Sequence, residues 1–98
     1  MYLVREVFRT KPGKAKELVS KFKKAMPLLT ASEGGINTKI MTDIATDYWT
    51  VVIESEVENI GEFIGGLRTA TASDELKEIM KGYLDLVESG KREIYIIE

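Results

Sequence analysis

The chain has 98 residues, 44% hydrophobic and 31% charged, with a formal net charge of −2. This length supports one core, so we expect residues 1–98 to form a single domain. The small net charge gives no indication of a nucleic-acid or anionic-membrane partner. The sequence has neither Cys nor His, which excludes disulfides, thiolate metal sites, histidine-based triads and a histidine ligand to haem iron.

The first predicted elements are a strand, a turn and a long helix. Tyr2 to Arg9 alternates, placing Leu3, Arg5, Val7 and Arg9 on one face and Tyr2, Val4, Glu6 and Phe8 on the other. A Lys11-Pro12-Gly13 turn ends this strand. From Lys14, apolar residues recur at helical spacing, and Pro27 is expected to kink or end the helix near Met26.

Two further strands are predicted after Gly34-Gly35. The first is 36–42, with Ile36 and Ile40 opposing Asn37, Lys39 and Met41. A hairpin loop over 43–47 leads to the second strand, which begins at Tyr48. Its alternation predicts an apolar face and a mixed face. Trp49 belongs to the apolar face and is expected to pack in the core. The mixed face contains Tyr48, Thr50, Val52, Glu54 and Glu56.

The second half of the sequence predicts two helices and a last strand. Ile60, Phe63, Ile64 and Leu67 fall on one helical face, and Asn59 is the predicted N-cap, with Glu62 three residues later. A third helix carries Leu76, Ile79, Met80, Tyr83, Leu84 and Val87, and we expect irregularity at Gly82. Ser89-Gly90 is predicted to end that helix, and the last strand is 92–97.

This order predicts an α+β, ferredoxin-like βαββ(α)αβ fold with a four-stranded antiparallel sheet and all helices on one face. The opposite face is then uncovered. Since an exposed apolar patch of this size favours association, we expect a homodimer in which the two uncovered faces meet.

The chain resembles the dimeric α/β-barrel superfamily over its whole length. The resemblance rests on the element order, on residues 8–14 between the first strand and helix, on the Trp-bearing third strand and on residues 83–93. It points to NIPSNAP-like proteins and, more distantly, to antibiotic-biosynthesis-monooxygenase-like proteins. The resemblance implies a dimeric barrel with a cavity in each subunit, while the absence of His separates this chain from several enzymes of the superfamily.

The candidate ligand-binding residues are polar and aromatic side chains on the strands: Arg5, Arg9, Tyr48, Trp49, Glu54 and Tyr95. Arg5 and Arg9 are placed to pair with Glu54 and Glu56. These charges have two interpretations, a polar corner that binds an acidic or phenolic molecule and an ion-pair network that sets the dimer register. The sequence does not decide between them.

Other kinds of site find little support. Asp43 and Asp47 lack the spacing of a calcium loop, and no metal or cofactor is expected. The lysines of the first helix are interpreted as a solvated face, because they lie opposite its apolar stripe and the chain as a whole is slightly acidic. No apolar run approaches the roughly 20 residues of a membrane helix, and a strand at the start leaves no room for a signal peptide. We therefore expect a cytoplasmic protein without nucleic-acid or membrane partners.

Three functions remain. The first is a homodimer that binds a small apolar, phenolic or acidic ligand in the barrel cavity. The second is a cofactor-independent monooxygenase that holds a polycyclic phenol and stabilises its anion. The third is a structural assembly that forms rings through strand edges, for which a filled interior is expected.

Overall fold

The computed structural model describes the backbone of residues 1–98 and the side chains of residues 1–31 and 34–98. Its elements, in chain order, are β1 (Tyr2–Thr10), α1 (Ala15–Glu33), β2 (Ile36–Thr42), β3 (Thr50–Val57), α2 (Ile60–Thr71), α3 (Asp74–Ile79), a 3₁₀ turn (Tyr83–Asp85) and β4 (Val87–Ile96). The strands form one antiparallel sheet in the order β2-β3-β1-β4. The predicted ferredoxin-like α+β fold is confirmed.

Alternation along β1 and β3 decides which side chains form the core. Val4 of β1 and Val51, Ile53 and Val57 of β3 are buried. Val51 and Ile53 pack with Leu18, Phe22 and Leu86, whereas Val4 and Val57 pack with Phe63. Burial of each large apolar side chain stabilises the fold by about 1.5–3 kcal/mol. We call this side of the sheet the helix face and the other side the open face.

The start of α2 confirms the predicted cap. The Asn59 side chain accepts a hydrogen bond from the backbone N–H of Glu62 at 3.0 Å. Asn59 itself has extended backbone, as an N-cap residue does, so one of the free N–H groups at the helix start is satisfied.

The prediction that Trp49 lies in the core is wrong. β3 begins only at Thr50, and Tyr48 and Trp49 have left-handed backbone, with φ of +66° and +53°. Two of the hydrogen bonds that hold the loop over residues 43–49 are short: Thr50 N–H donates to Asp43 Oδ1 at 2.8 Å, and Thr10 N–H donates to the Trp49 carbonyl at 2.8 Å. These bonds break the alternation before Thr50, so the Trp49 side chain is 44% exposed.

Pro27 does not end α1, which continues to Glu33. Pro lacks only one backbone donor, and the apolar face of the helix continues on both sides of it, with Phe22 and Ala25 buried and Leu29 packed against the buried Ala25, Ala70 and Leu76. Tertiary packing thus outweighs the local cost of the proline.

The last predicted helix and strand have different bounds. α3 ends at Ile79, and Gly82, with φ of +82°, leads into the 3₁₀ turn. β4 starts at Val87, so Ser89 and Gly90 lie within the strand instead of ending a helix. A Cβ at Gly90 would lie 3.3 Å from Phe8 Cδ1 on β1, so this glycine permits close approach of the neighbouring ring.

The second strand has its predicted bounds, but a bulge changes its faces. The register shifts between Ile36 and Lys39, and Asn37 has a φ of +53°. Ile36 is therefore opposite Glu56, whereas Ile40 is opposite Ile53. The prediction that Ile36 and Ile40 share a face is wrong, because a bulge adds one residue and reverses the alternation.

Within the described part of the chain, no helix is both long enough and apolar enough to cross a membrane.

Candidate functional site

A cavity of about 440 Å³ lies between the helix face of the sheet and the three helices. Its walls are mainly apolar and include Phe22, Met26, Leu29, Ile53 and Phe63. A cavity of this volume lies in the range of small-molecule sites. Leu76 of α3, which packs against Ala25 and Ala70, also lines it.

The cavity wall contains one ion pair. Arg92 of β4 donates through Nε to the carboxylate of Glu6, its cross-strand partner on β1. The Arg92 guanidinium also lies 5.7 Å from the centre of the Phe63 ring, a cation–π distance. The two charged side chains are 39% and 22% exposed, so the pair lies at the boundary between the cavity and solvent.

Two hydroxyls form a second polar feature of the cavity. Thr38 Oγ1 and Ser55 Oγ lie 2.8 Å apart, and both residues line the cavity. Only one of the two hydroxyl protons is needed for the bond between them. The other is available to a ligand, so the pair can donate to a carbonyl, phenolate or carboxylate oxygen.

Of the predicted site residues, the four on strands lie on the open face, on the other side of the sheet from this cavity: Arg5, Arg9, Glu54 and Tyr95. Arg5 is 3.3 Å from Glu54 and 3.0 Å from Glu93. Arg9 is 3.8 Å from Glu88, so it does not pair with Glu56, which instead accepts a hydrogen bond from Asn37.

Tyr95 joins the ion pairs on the open face. Its hydroxyl donates to Glu93 Oε2 at 2.9 Å. This hydrogen bond, together with the negative charge of Glu93, raises the pKa of the Tyr95 phenol above its ordinary value. Tyr48 and Trp49 lie apart from this network, in the loop before β3.

The cross-strand register arranges the side chains of the open face in rows. Cross-strand register places Lys39, Glu54, Arg5 and Glu93 in one line, which we call the charged row. The row on one side of it contains Met41, Val52 and Val7 and ends at Lys91. The row on the other side contains Leu3 and Tyr95 together with Glu56. A depression of about 420 Å³ on this face is lined by Arg5 and Arg9.

The sequence prediction missed the polar residues of the cavity, four of which are Glu6, Thr38, Ser55 and Arg92. A signal for two of them was present. Glu6 interrupts the apolar face of β1 and Ser55 interrupts that of β3, at positions that otherwise face the core. A polar residue on a core-facing parity indicates either a buried hydrogen bond or a cavity.

Glu6 and Ser55 alone do not indicate a metal centre. Among the residues whose side chains are described, no group of three or more acidic side chains is arranged to hold a metal ion.

The fold is the ferredoxin-like α+β fold seen in NIPSNAP domain proteins. The chain is similar to an uncharacterized NIPSNAP domain protein from Burkholderia xenovorans, with a TM-score of 0.85 and 11% identity over 100% of this chain and 95% of that one. It is similar to a NIPSNAP family protein from Agrobacterium tumefaciens C58, with a TM-score of 0.86 and 11% identity over 99% and 85% of the two chains.

A more distant likeness is to a putative antibiotic biosynthesis monooxygenase from Chloroflexus aurantiacus J-10-fl. Its TM-score is 0.72, with 10% identity over 99% of this chain and 92% of that one. No family model and no curated protein matches the chain. The predicted resemblance is therefore confirmed for the fold, and at these identities the fold alone is shared.

Proposed function

We propose that the protein binds a small, mainly apolar molecule in the cavity between its sheet and helices. The observation that carries this proposal is the cavity of about 440 Å³ with apolar walls and a few polar groups, the usual character of a ligand site. The Thr38–Ser55 hydroxyl pair supplies a point for orienting the ligand. An open interior also argues against a purely structural ring assembly.

Binding of N-phenyl-1-naphthylamine, a neutral probe that fluoresces in apolar surroundings, tests the proposal. Thr71 lines the cavity at the end of α2, and Thr69 lies on the same helix outside the lining. Both hydroxyls donate to a backbone carbonyl of α2, so the two positions are a matched pair. We expect Thr71→Phe to weaken probe binding by about tenfold, roughly 1.4 kcal/mol, and Thr69→Phe to leave it unchanged.

Equal binding by both variants, or no binding by the unaltered protein, would contradict a cavity site. Ser55→Leu, which fills the cavity from the sheet side, is a second variant that should exclude the probe. Circular dichroism on each variant separates loss of the site from loss of the fold.

We propose further that two copies associate through their open faces. Half-buried apolar side chains, including Leu3, Val7, Val52 and Met41, lie on that face. Between them the charged row contains two cations and two acids, so it carries no net charge that would oppose burial.

The charged row is also complementary to itself. Its charges alternate in the order Lys39, Glu54, Arg5 and Glu93 across the strands. A second copy rotated by 180° about an axis parallel to the strands presents the reversed order, so that each cation faces an acid. Such pairing favours one register of the dimer over others.

Sedimentation velocity at micromolar concentration measures this association. We expect a dimer for the unaltered protein and a monomer for Val52→Asp, which places an unpaired charge in the centre of the open face. Ile64→Asp is the control, since Ile64 is 40% exposed on α2. A stable monomer of the unaltered chain would refute the proposed interface.

A cofactor-independent monooxygenase is the second candidate. It is supported by the Arg92 guanidinium beside the cavity, which is placed to stabilise a phenolate, and by the fold shared with the Chloroflexus protein. Anthrone, whose enol is a phenol, is a suitable probe: with O₂ it gives anthraquinone and water. Oxygen consumption above the buffer rate that is lost in Arg92→Gln would support this activity, and a rate equal to buffer would contradict it.

A further inference from the structure

The net charge of the residues that line the cavity is opposite in sign to the net charge of the whole protein. The chain has a formal net charge of −2, but the lining contains two cations, Lys77 and Arg92, and one acid, Glu6. The lining therefore carries one net positive charge, set among apolar walls. A site of this kind favours a ligand with one negative charge on an apolar body.

The position of these charges indicates where the ligand enters. Arg92 lies on β4, an edge strand of the sheet, and on its face of this strand the neighbouring Ile94 and Ile96 are 42% and 66% exposed. Lys77, on α3, is also exposed. We infer that the cavity opens at this edge, with its cations at the mouth and the apolar side chains of α1, β3 and α2 inside.

The Arg92 guanidinium has further hydrogen-bond donors at this mouth besides the Nε–H that binds Glu6. Glu6 accepts from Nε, and among the side chains described by the structure no other acid pairs with the guanidinium. The two terminal amino groups of an arginine match the two oxygens of a carboxylate. A phosphate monoester, which carries between one and a half and two charges, exceeds the single net charge that the lining offers.

On these grounds we propose that the ligand is a monoanionic amphiphile, a carboxylate with an apolar chain or ring system, whose head group binds Arg92 and Lys77 at the mouth. The inference rests on the proposed function of the cavity. The Glu6 carboxylate neutralises part of the Arg92 charge, so Glu6 weakens binding of an anion and thereby sets the affinity.

Displacement of N-phenyl-1-naphthylamine by decanoate and by the neutral 1-decanol tests this inference. We expect decanoate to compete at least about tenfold better than decanol. Arg92→Gln should weaken decanoate by roughly tenfold to a hundredfold, the loss of a charge-assisted hydrogen bond, and Lys77→Gln by a smaller factor. Glu6→Gln should tighten decanoate several-fold, since it frees the Arg92 charge. Decanol should respond to none of these changes.

Arg68→Gln is the control, because Arg68 is an exposed cation of α2 outside the cavity lining. It should leave both affinities unchanged. Lys77 is exposed, so its variant keeps the test valid if Arg92→Gln does not fold. Equal displacement by decanoate and decanol, or an unchanged decanoate affinity in Arg92→Gln and Glu6→Gln, would overturn the inference while leaving the cavity function intact. Failure of the neutral probe to bind would overturn both.

Discussion

The left-handed backbone at Tyr48 leads to a stability prediction that runs against the usual ranking of residues. Tyr48 has a φ of +66°, and its side chain is 75% exposed. A residue with a Cβ pays about 1–2 kcal/mol for this conformation, whereas glycine avoids this cost. Relative to alanine, glycine lowers the free energy of unfolding by about 0.4–1 kcal/mol, because its unfolded chain has more conformational freedom. Tyr48→Gly should therefore be more stable than Tyr48→Ala by about 1 kcal/mol.

The comparison between these two variants isolates the backbone, because both have lost the same ring. Lys91 is the control position, since it is an exposed residue within β4. There Lys91→Gly should be less stable than Lys91→Ala by roughly 0.5–1 kcal/mol, the ordinary cost of glycine in a strand.

Urea unfolding at a fixed protein concentration measures both differences. At slopes of about 1–3 kcal/mol/M, the Gly and Ala variants at Tyr48 should have midpoints separated by about 0.3–1 M. Equal midpoints at Tyr48, or alanine above glycine at both positions, would refute the assignment of strain to this loop.

Three other outcomes are expected. Pro27→Ala should raise the free energy of unfolding by about 1–3 kcal/mol by restoring a donor within α1; an unchanged urea midpoint would show that the helix adapts to proline at no cost. Asn59→Ala should lower the free energy of unfolding by about 1 kcal/mol, whereas Asn59→Asp, which still has a capping oxygen, should lower it by less. An unchanged free energy of unfolding in Asn59→Ala would contradict the cap. Glu93→Gln should lower the pKa of Tyr95 towards its ordinary value, as read from tyrosinate absorbance relative to Tyr95→Phe. The raised pKa lets the folded chain keep a proton that the unfolded chain releases near pH 10. The contribution of Tyr95 to the free energy of unfolding therefore falls as the pH rises above 10. An unchanged pKa of Tyr95 in Glu93→Gln would contradict this coupling.

The open face and the cavity need different experiments, because they lie on opposite sides of the sheet. Arg5 and Tyr95 lie on the open face with Glu54 and Glu93, and ligand binding there stays a prediction. A dimer through this face would bury those groups. If they are the ion pairs of the dimer, Val52→Asp should expose them. If they bind a ligand on a monomer, Val52→Asp should leave their exposure unchanged. The cavity lies on the other side of the sheet, and its probe assay does not depend on that result.

Local patterns in the sequence determined the fold and several of its details. Alternation identified both faces of β1, the Gly34-Gly35 break preceded a second strand with the predicted bounds 36–42, and Asn59 was identified as the cap of α2. These features depend on side-chain period and on backbone chemistry within a few residues. The topology followed from the order of the elements.

Only the tertiary structure decided the features that depend on residues far apart in the chain. The contact of Thr10 with the Trp49 carbonyl removes Trp49 from the core, and pairing with β1 extends β4 back to Val87. Likewise, Glu6 and Arg92 become neighbours only through the register of β1 and β4, and Thr38 meets Ser55 only through that of β2 and β3. The cavity is made by these long-range pairings. Alternation along a strand decides which face each side chain takes, but not which residue of a distant strand lies beside it or how much volume stays unfilled.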